Sequence, residues 1–299
     1  MMNAIPRERD PDLTSTIPIF LRRLHADSTR AAYAREITRF TAWLADNSPL
    51  DAEVLPRYVE WLRTRSLSPT FIAWRATVIG EFLCDAHRQG VIAMDVTAGY
   101  KKPKGTRGFA PRVLSSGELK RLLRTPDRRS WKGKRDLAAL VLMGIGGLRA
   151  GEVCSLRLCD VDVRSEGVTL RVNGKGNRLR TIAFEGKNAS PLRSWAAIRG
   201  TGVAHSPWLV ARKTEEGEQP RRLSVAMIDY VVRTTARSAE LTGVHAHALR
   251  HSAASLALAN GANLIEVRDM LGHASVITTS RYLHASALTC PVAVRSATL

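Results

Sequence analysis

The feature that most constrains this chain is the run Lys101-Lys102-Pro103-Lys104-Gly105-Thr106-Arg107-Gly108. Proline and glycine forbid a continuous helix through it, and its like charges push the backbone into an extended path. The chain is therefore expected to fold as two bodies: 1–100, a basic linker at 101–112, and 113–299. At 299 residues each body is long enough to bury a core of its own.

Charge divides at the same place. The whole chain carries 45 Lys and Arg against 27 Asp and Glu, a formal net charge of +18. Residues 1–100 hold 12 basic and 12 acidic side chains, so the excess lies entirely beyond them, with 13 basic against 2 acidic in 101–135 alone. Such a surplus repels itself unless a polyanion neutralises it, and nucleic acid is the commonest such partner. The linker either tracks DNA or is simply solvated; the density of charge continuing past it favours DNA.

Other classes fall away. The N-terminal residues lack an apolar stretch of secretory length, and Leu137 to Leu148 is too short to span a bilayer. Cys84, Cys154, Cys159 and Cys290 form no C-x-x-C pair. A reducing, cytoplasmic setting is expected, with no membrane partner.

The first body reads as all-helical. After Asp27-Ser28 as cap residues, Thr29, Tyr33, Ile37, Phe40 and Leu44 recur at helical spacing, with Arg30, Arg35 and Arg39 on other faces. A second helix carries Leu55, Tyr58, Val59 and Leu62, and a third opens on Ser68 with Pro69 at its first position and runs to Gly90. In the second body Ser115 to Glu118 is a capping box. Arg135 to Leu148 is expected to be a buried helix and Ala150 to Leu158 another. Val168 to Val172 and Leu179 to Phe184 read as strands joined through Asn173-Gly174-Lys175-Gly176-Asn177. Helices follow over 224–241, about 247–259 and 263–271. The fold class is thus mostly α with a small antiparallel β-sheet.

Four segments carry groups suited to a phosphodiester. Gly147-Leu148-Arg149-Ala150-Gly151-Glu152 sets an arginine at the end of an apolar helix, with Glu152 three residues on to orient it; alone, this is equally a structural ion pair. Lys175 sits on the glycine-flanked hairpin tip, where it can present one ammonium to a groove or simply be an exposed turn lysine. His247-Ala248-Leu249-Arg250-His251 brings His247, Arg250 and His251 to one side of a helix N-terminus, a favourable place for an anion. Zinc is the obvious rival there, but the glutamate of a zinc-protease motif is missing and nothing nearby completes a ligand set. Finally Leu271-Gly272-His273 precedes Tyr282 by nine residues from the histidine.

Arg149 with Glu152, the hairpin Lys175, the H-x-x-R box of His247 and Arg250, the L-G-H of His273 and the tyrosine nine later resemble the tyrosine recombinase (phage-type integrase) family. Order and spacing match across about 109–284, and 13–98 is similar to that family's helical core-binding domain. Two departures stand out. Ala248 follows the box histidine where the family often has a charged residue, and Asp95-Val96 replaces the usual Asn-Pro at the end of the first domain.

The resemblance implies a SAM-like core-binding domain and an α+β catalytic domain clamping DNA. It implies Arg149 and Arg250 as guanidinium forks on the phosphate, His273 as a further donor and Tyr282 as nucleophile. His247 would accept the phenolic proton, and Lys175 would protonate the departing 5′ oxygen. Lys101, Lys102, Lys104, Arg107, Arg30 and Arg35 are the candidate DNA-binding residues. The covalent phosphotyrosyl link keeps the energy of the broken bond, so no cofactor or metal is expected.

The short stretch ahead of the first helix points to the simple, Xer-like branch. That branch acts on double-stranded DNA with paired inverted half-sites as a tetrameric synapse, in some cases with a second recombinase. The tail after Tyr282 docks on a neighbouring protomer or frays. The rival functions are a type IB-like topoisomerase and a non-catalytic DNA-binding accessory protein.

Overall fold

A computed structural model describes residues 12–47, 49–104, 112–174, 178–199, 207–212, 221–273 and Thr279. The linker's Arg107, the hairpin Lys175, the candidate nucleophile Tyr282 and Cys290 lie outside the described residues. The chain divides into two compact units, Met1–Phe109 and Ala110–Leu299.

In the first unit a 3-10 turn, Leu13–Thr16, leads into α1 (Ile17–Arg22), then α2 (Asp27–Asp46), α3 (Val54–Arg63) and α4 (Pro69–Arg88). The expected N-terminus of α4 is met: the Ser68 hydroxyl accepts from the Phe71 amide, and Pro69 spends its missing N–H where no helix bond would form. At α2 the expected caps differ. Ala26 holds the N-cap position without a side-chain bond, and Asp27 is already helical. Ile37, Phe40, Leu55, Tyr58, Ile79 and Phe82 form the core of this unit. Inside it the buried Glu36 accepts from the Tyr58 hydroxyl at 2.6 Å and from Arg39 at 2.6 Å, and pairs with Arg75 at 3.3 Å. Paired in this way the buried carboxylate has hydrogen-bond partners in place of water.

The second unit begins at α5 (Ser116–Arg124), whose Ser115–Glu118 capping box forms as read, and continues with α6 (Trp131–Gly144) and α7 (Ala150–Ser155). The buried helix expected over 135–148 is displaced toward the N-terminus. Ser130 caps it at Gly133, and the glycines at 144, 146 and 147 end it. The helix expected over 150–158 stops at Ser155.

β1 (Val161–Val163), β2 (Gly167–Asn173) and β3 (Leu179–Glu185) then form an antiparallel sheet in the order β1-β2-β3. The hairpin register pairs Asn173 with Leu179, and the Gly174 amide donates to the Arg178 carbonyl. β1, only three residues long, was not expected from the sequence. Neither was α8 (Gly186–Ile198): it starts on a glycine, contains Pro191 and buries only Ala189, Leu192 and Trp195.

The chain continues through α9 (Val225–Ser238), α10 (Ala246–Ala259) and α11 (Leu264–Leu271). The core is a layer of helices on one face of the sheet. α6 is buried along nearly its whole length, with Leu170, Phe184, Trp195, Val232 and Leu249 in the same cluster. Among the described residues no helix is long and apolar enough to cross a membrane, and Cys84, Cys154 and Cys159 are free thiols.

Candidate active site

The site is assembled where α6, α7, β3, α10 and α11 end or begin, all within the second unit. Past α6 the backbone turns sharply at Gly147, whose φ of +65° lies in the left-handed region that favours glycine. A Cβ there would sit 2.8 Å from the Leu271 side chain, so the close approach also demands glycine. The turn delivers Arg149 to the N-cap of α7, with its side chain 38% exposed, and Glu152 one turn later at 7%.

Glu152 is the hub. One carboxylate oxygen accepts from the Arg149 backbone amide at 2.8 Å, the other from the Arg149 guanidinium at 2.9 Å. Arg180 grips the same carboxylate with two parallel bonds of 3.0 and 2.7 Å, and Arg250 lies 3.8 Å away. Burial works against ionisation of Glu152, but the hydrogen bonds from Arg180 and from the Arg149 amide, with the charges of Arg180 and Arg250, outweigh it. They hold the carboxyl below its ordinary range. Three guanidiniums thus share one carboxylate, which leaves a surplus of two positive charges.

Arg250, only 1% exposed, reaches from α10 across the turn. Its two terminal nitrogens donate to the Gly147 and Leu271 carbonyls, both at 2.6 Å. Arg180 donates its Nε to the Met270 carbonyl at 2.9 Å. Two arginines therefore satisfy the last carbonyls of α11, where positive charge is favoured by the helix dipole. The helix closes on Gly272 (φ +64°), where a Cβ would come within 3.0 Å of the Arg180 guanidinium. The Leu-Gly-His signature is thereby explained: the glycine makes the left-handed turn and clears space for the arginine, and the turn sets down His273.

His273 Nδ1 lies 2.9 Å from the hydroxyl of the fully buried Thr279. A hydroxyl donating to Nδ1 leaves the ring proton on Nε2. Burial first, then Arg250, Arg149 and Arg180, push His273 down to about 4. On α10, whose first amide is held by Asp229 at 2.9 Å and whose N-cap is His245, the His247 and His251 rings meet edge to face with centroids 4.3 Å apart. Burial, then Arg250, His245 and Arg149, lowers His247, and burial with His247 and Arg250 pushes His251 down to about 4. All three rings are neutral at pH 7.

Arg149, Glu152, His247, Arg250 and His273 thus lie in one electrostatic neighbourhood. The expectation that His247, Arg250 and His251 share a side of α10 needs refinement. The two rings meet, while the Arg250 side chain is drawn into the protein toward Gly147 and Leu271. Gly174, which precedes Lys175 in the chain, lies against the hub: a Cβ on it would be 3.3 Å from Arg180 and 3.7 Å from Glu152. In the first unit, Arg35, Lys101, Lys102 and Lys104 are exposed, and Arg30 bonds the Leu24 carbonyl at 2.8 Å and pairs with Asp27.

Sequence reasoning missed Arg180. A signal existed: the alternation of β3 puts it on the same face as Ile182 and Phe184, and an inward arginine needs an anion.

The phage integrase family profile matches residues 112–288, more than half of the chain. The chain belongs to the phage integrase family. The tyrosine recombinase XerC of Mycobacterium bovis is 32% identical over 270 residues, covering 86% of this chain and 87% of that protein. Among solved structures, the XerH site-specific recombinase in a post-cleavage complex with palindromic difH substrate superposes with a TM-score of 0.73 at 19% identity, covering 96% of this chain and 97% of that one. A lambda integrase tetramer bound to a Holliday junction gives 0.62 at 17%, covering 91% and 78%. The protein is a Xer-like tyrosine recombinase, and its mostly helical fold with a small antiparallel sheet is the fold of these relatives.

Two measurements probe the hub of this tyrosine recombinase. Arg180→Met leaves Glu152 underpaired and the Met270 carbonyl without its donor, so urea denaturation of the full chain should show a loss of about 3–5 kcal/mol. The second is pH dependence. Unfolded histidines protonate near 6.5, whereas His251 and His273 resist protonation down to about 4 when folded. As pH falls through 6.5 the unfolded chain binds protons that the folded chain refuses, so the histidines should cost stability from about 6.5 to about 4, below which protonation of depressed carboxylates such as Glu152 continues the loss. A urea-midpoint series across that range should be flatter for His251→Asn.

Proposed function

We propose that this tyrosine recombinase cleaves and rejoins double-stranded DNA through a 3′-phosphotyrosyl intermediate on Tyr282, exchanging strands through a Holliday junction. The observation that carries the reading is the shared carboxylate. Three arginines on one glutamate form a fixed basin of positive charge beside three neutral histidines.

Attack on a phosphodiester passes through a pentacoordinate species with added negative charge on its non-bridging oxygens, and preorganised cations lower its energy without reorganising. Arg149, the more exposed of the two box arginines, presents donors to those oxygens. Arg250, whose terminal nitrogens are tied to two carbonyls, supplies fixed charge from behind it. His273 donates through Nε2. As the Tyr282 oxygen bonds to phosphorus, its proton passes to His247, which is neutral and able to accept it. The bond from phosphorus to the 5′ oxygen breaks, and that oxygen takes a proton from Lys175. Tyr282 stands three positions beyond Thr279 in the sequence, so at most about 11 Å separates their Cα atoms. Rejoining reverses the steps on a second 5′ hydroxyl, so neither an energy source nor a metal is needed.

The core-binding role of the first unit, with Arg30 and Arg35, and the DNA-tracking role of Lys101, Lys102, Lys104 and Arg107 belong to the same reading. So do paired inverted half-sites, a tetrameric synapse, and action in the cytoplasm on the nucleoid. The lambda integrase tetramer on a Holliday junction supports the assembly by likeness of fold.

A nicked duplex carrying the protein's footprinted half-sites should trap an SDS-resistant protein–DNA adduct. Tyr282→Phe should abolish the adduct and keep DNA binding; an adduct formed by the phenylalanine variant would displace Tyr282 as nucleophile. Reversing charge at Lys101, Lys102 and Lys104 should lower the slope of log affinity against log salt by roughly three phosphates' worth, read by anisotropy on duplex DNA. An unchanged slope would reduce the segment to a spacer.

A further inference from the structure

The basic excess over 101–135 is only partly used by the linker. Within the second unit, Lys120 and Arg124 on α5, Arg128 in the following loop, Lys134 on α6 and Lys187 on α8 surround a cavity of about 320 Å³. Its floor is apolar, made by Leu123, Leu137, Val141 and Pro191, and no carboxylate lines it among the described residues.

The neighbouring acids are engaged elsewhere. Glu118 pairs with Arg112, Asp127 with Arg129, and Asp136 with Lys132 and Arg135. These are the only acids between Ser116 and Gly144. Five cations therefore ring an oily hollow, and no ion pair among the described residues involves any of them. None of the five belongs to the phosphodiester basin.

We propose that this cavity docks an acidic peptide segment of a protein partner. An apolar side chain of the segment rests on the Leu123–Leu137–Val141 floor, and flanking carboxylates meet the cationic rim. Charge complementarity selects an anion, and the floor selects among anions. A DNA duplex offers phosphates to the rim but nothing apolar to the hollow, and an inorganic polyanion likewise leaves the floor uncovered. A peptide of alternating character satisfies both, and a cavity of this size accepts one or two aliphatic side chains.

The test uses the full chain at about 0.15 M salt, where loose long-range attraction is screened. The probe is a fluorescein-labelled synthetic hexapeptide with two central leucines flanked on each side by two aspartates. Anisotropy should show saturable binding that weakens at least tenfold when serines replace the leucines. It should weaken at least tenfold again with Lys120→Glu plus Arg124→Glu. Ser194→Trp, which narrows the mouth from α8 without altering charge, should also block the leucine peptide. Duplex DNA affinity should change less than twofold in either variant. The proposal is overturned by absence of saturable binding, by equal binding of the serine peptide, or by equal binding to both variants. It is also overturned if duplex affinity falls in parallel with peptide affinity, which would assign the rim to the DNA interface.

Discussion

A single buried carboxylate governs the second unit. Glu152 is nearly enclosed, and one negative charge in such a place is tolerable only because Arg149, Arg180 and Arg250 crowd around it. The converse matters more for chemistry. Three guanidiniums packed together would repel, and the glutamate lets them stand side by side while cancelling only one of their charges. The remaining charge is held in place before any substrate arrives, which is the condition under which an electrostatic site works without reorganising.

The same arginines are structural ties between segments that are remote in sequence. Arg250 joins the turn after α6 to the end of α11, and Arg180 joins the hairpin to that same helix end. Because Met270 and Leu271 offer carbonyls that no helical amide can satisfy, capping them and positioning His273 are one act. Burial first, and the dense positive charge after it, keep the nearby histidines neutral. A ring that resists protonation beside arginines remains a proton acceptor or a directional donor at neutral pH, and does not compete with them for the anion.

Much of this was legible in the residue order where the signal is local. Ser68 with Pro69, and Ser115 with Glu118, announce helix starts through bonds spanning only three residues, and both form. The hairpin and the glycine of Leu-Gly-His were readable for the same reason. Signals depending on tertiary neighbours were lost. α8 carries a helix-breaking proline and too few apolar positions to show its period, and is held by Trp195 in the core. α6 was misplaced because the apolar Ile145 and Leu148 carry the hydrophobic pattern past Gly144, beyond the point where the glycines end the helix. Arg180 looked like one more basic residue in a basic region. Only the discovery that its strand face is buried, opposite Glu152, separates it from the exposed arginines around it.

That distinction orders the whole charge pattern. In a chain with an excess of +18, the number of cations says little, and what each one faces says nearly everything. Arg180 and Arg250 are buried and fully committed, to a carboxylate and to carbonyls, and so they set geometry. Arg149 is half committed: its amide and one guanidinium nitrogen are held by Glu152 while the side chain remains 38% exposed. An arginine that is fixed at one end and accessible at the other can meet a phosphate at little entropic cost, because the ordering is done by the fold. The exposed linker lysines lack that restraint, so an anion that meets them must order them itself. Graded commitment of one residue type, from core tie to half-held fork to solvated side chain, is how a strongly basic sequence separates charge that fixes geometry from charge left open to an anion.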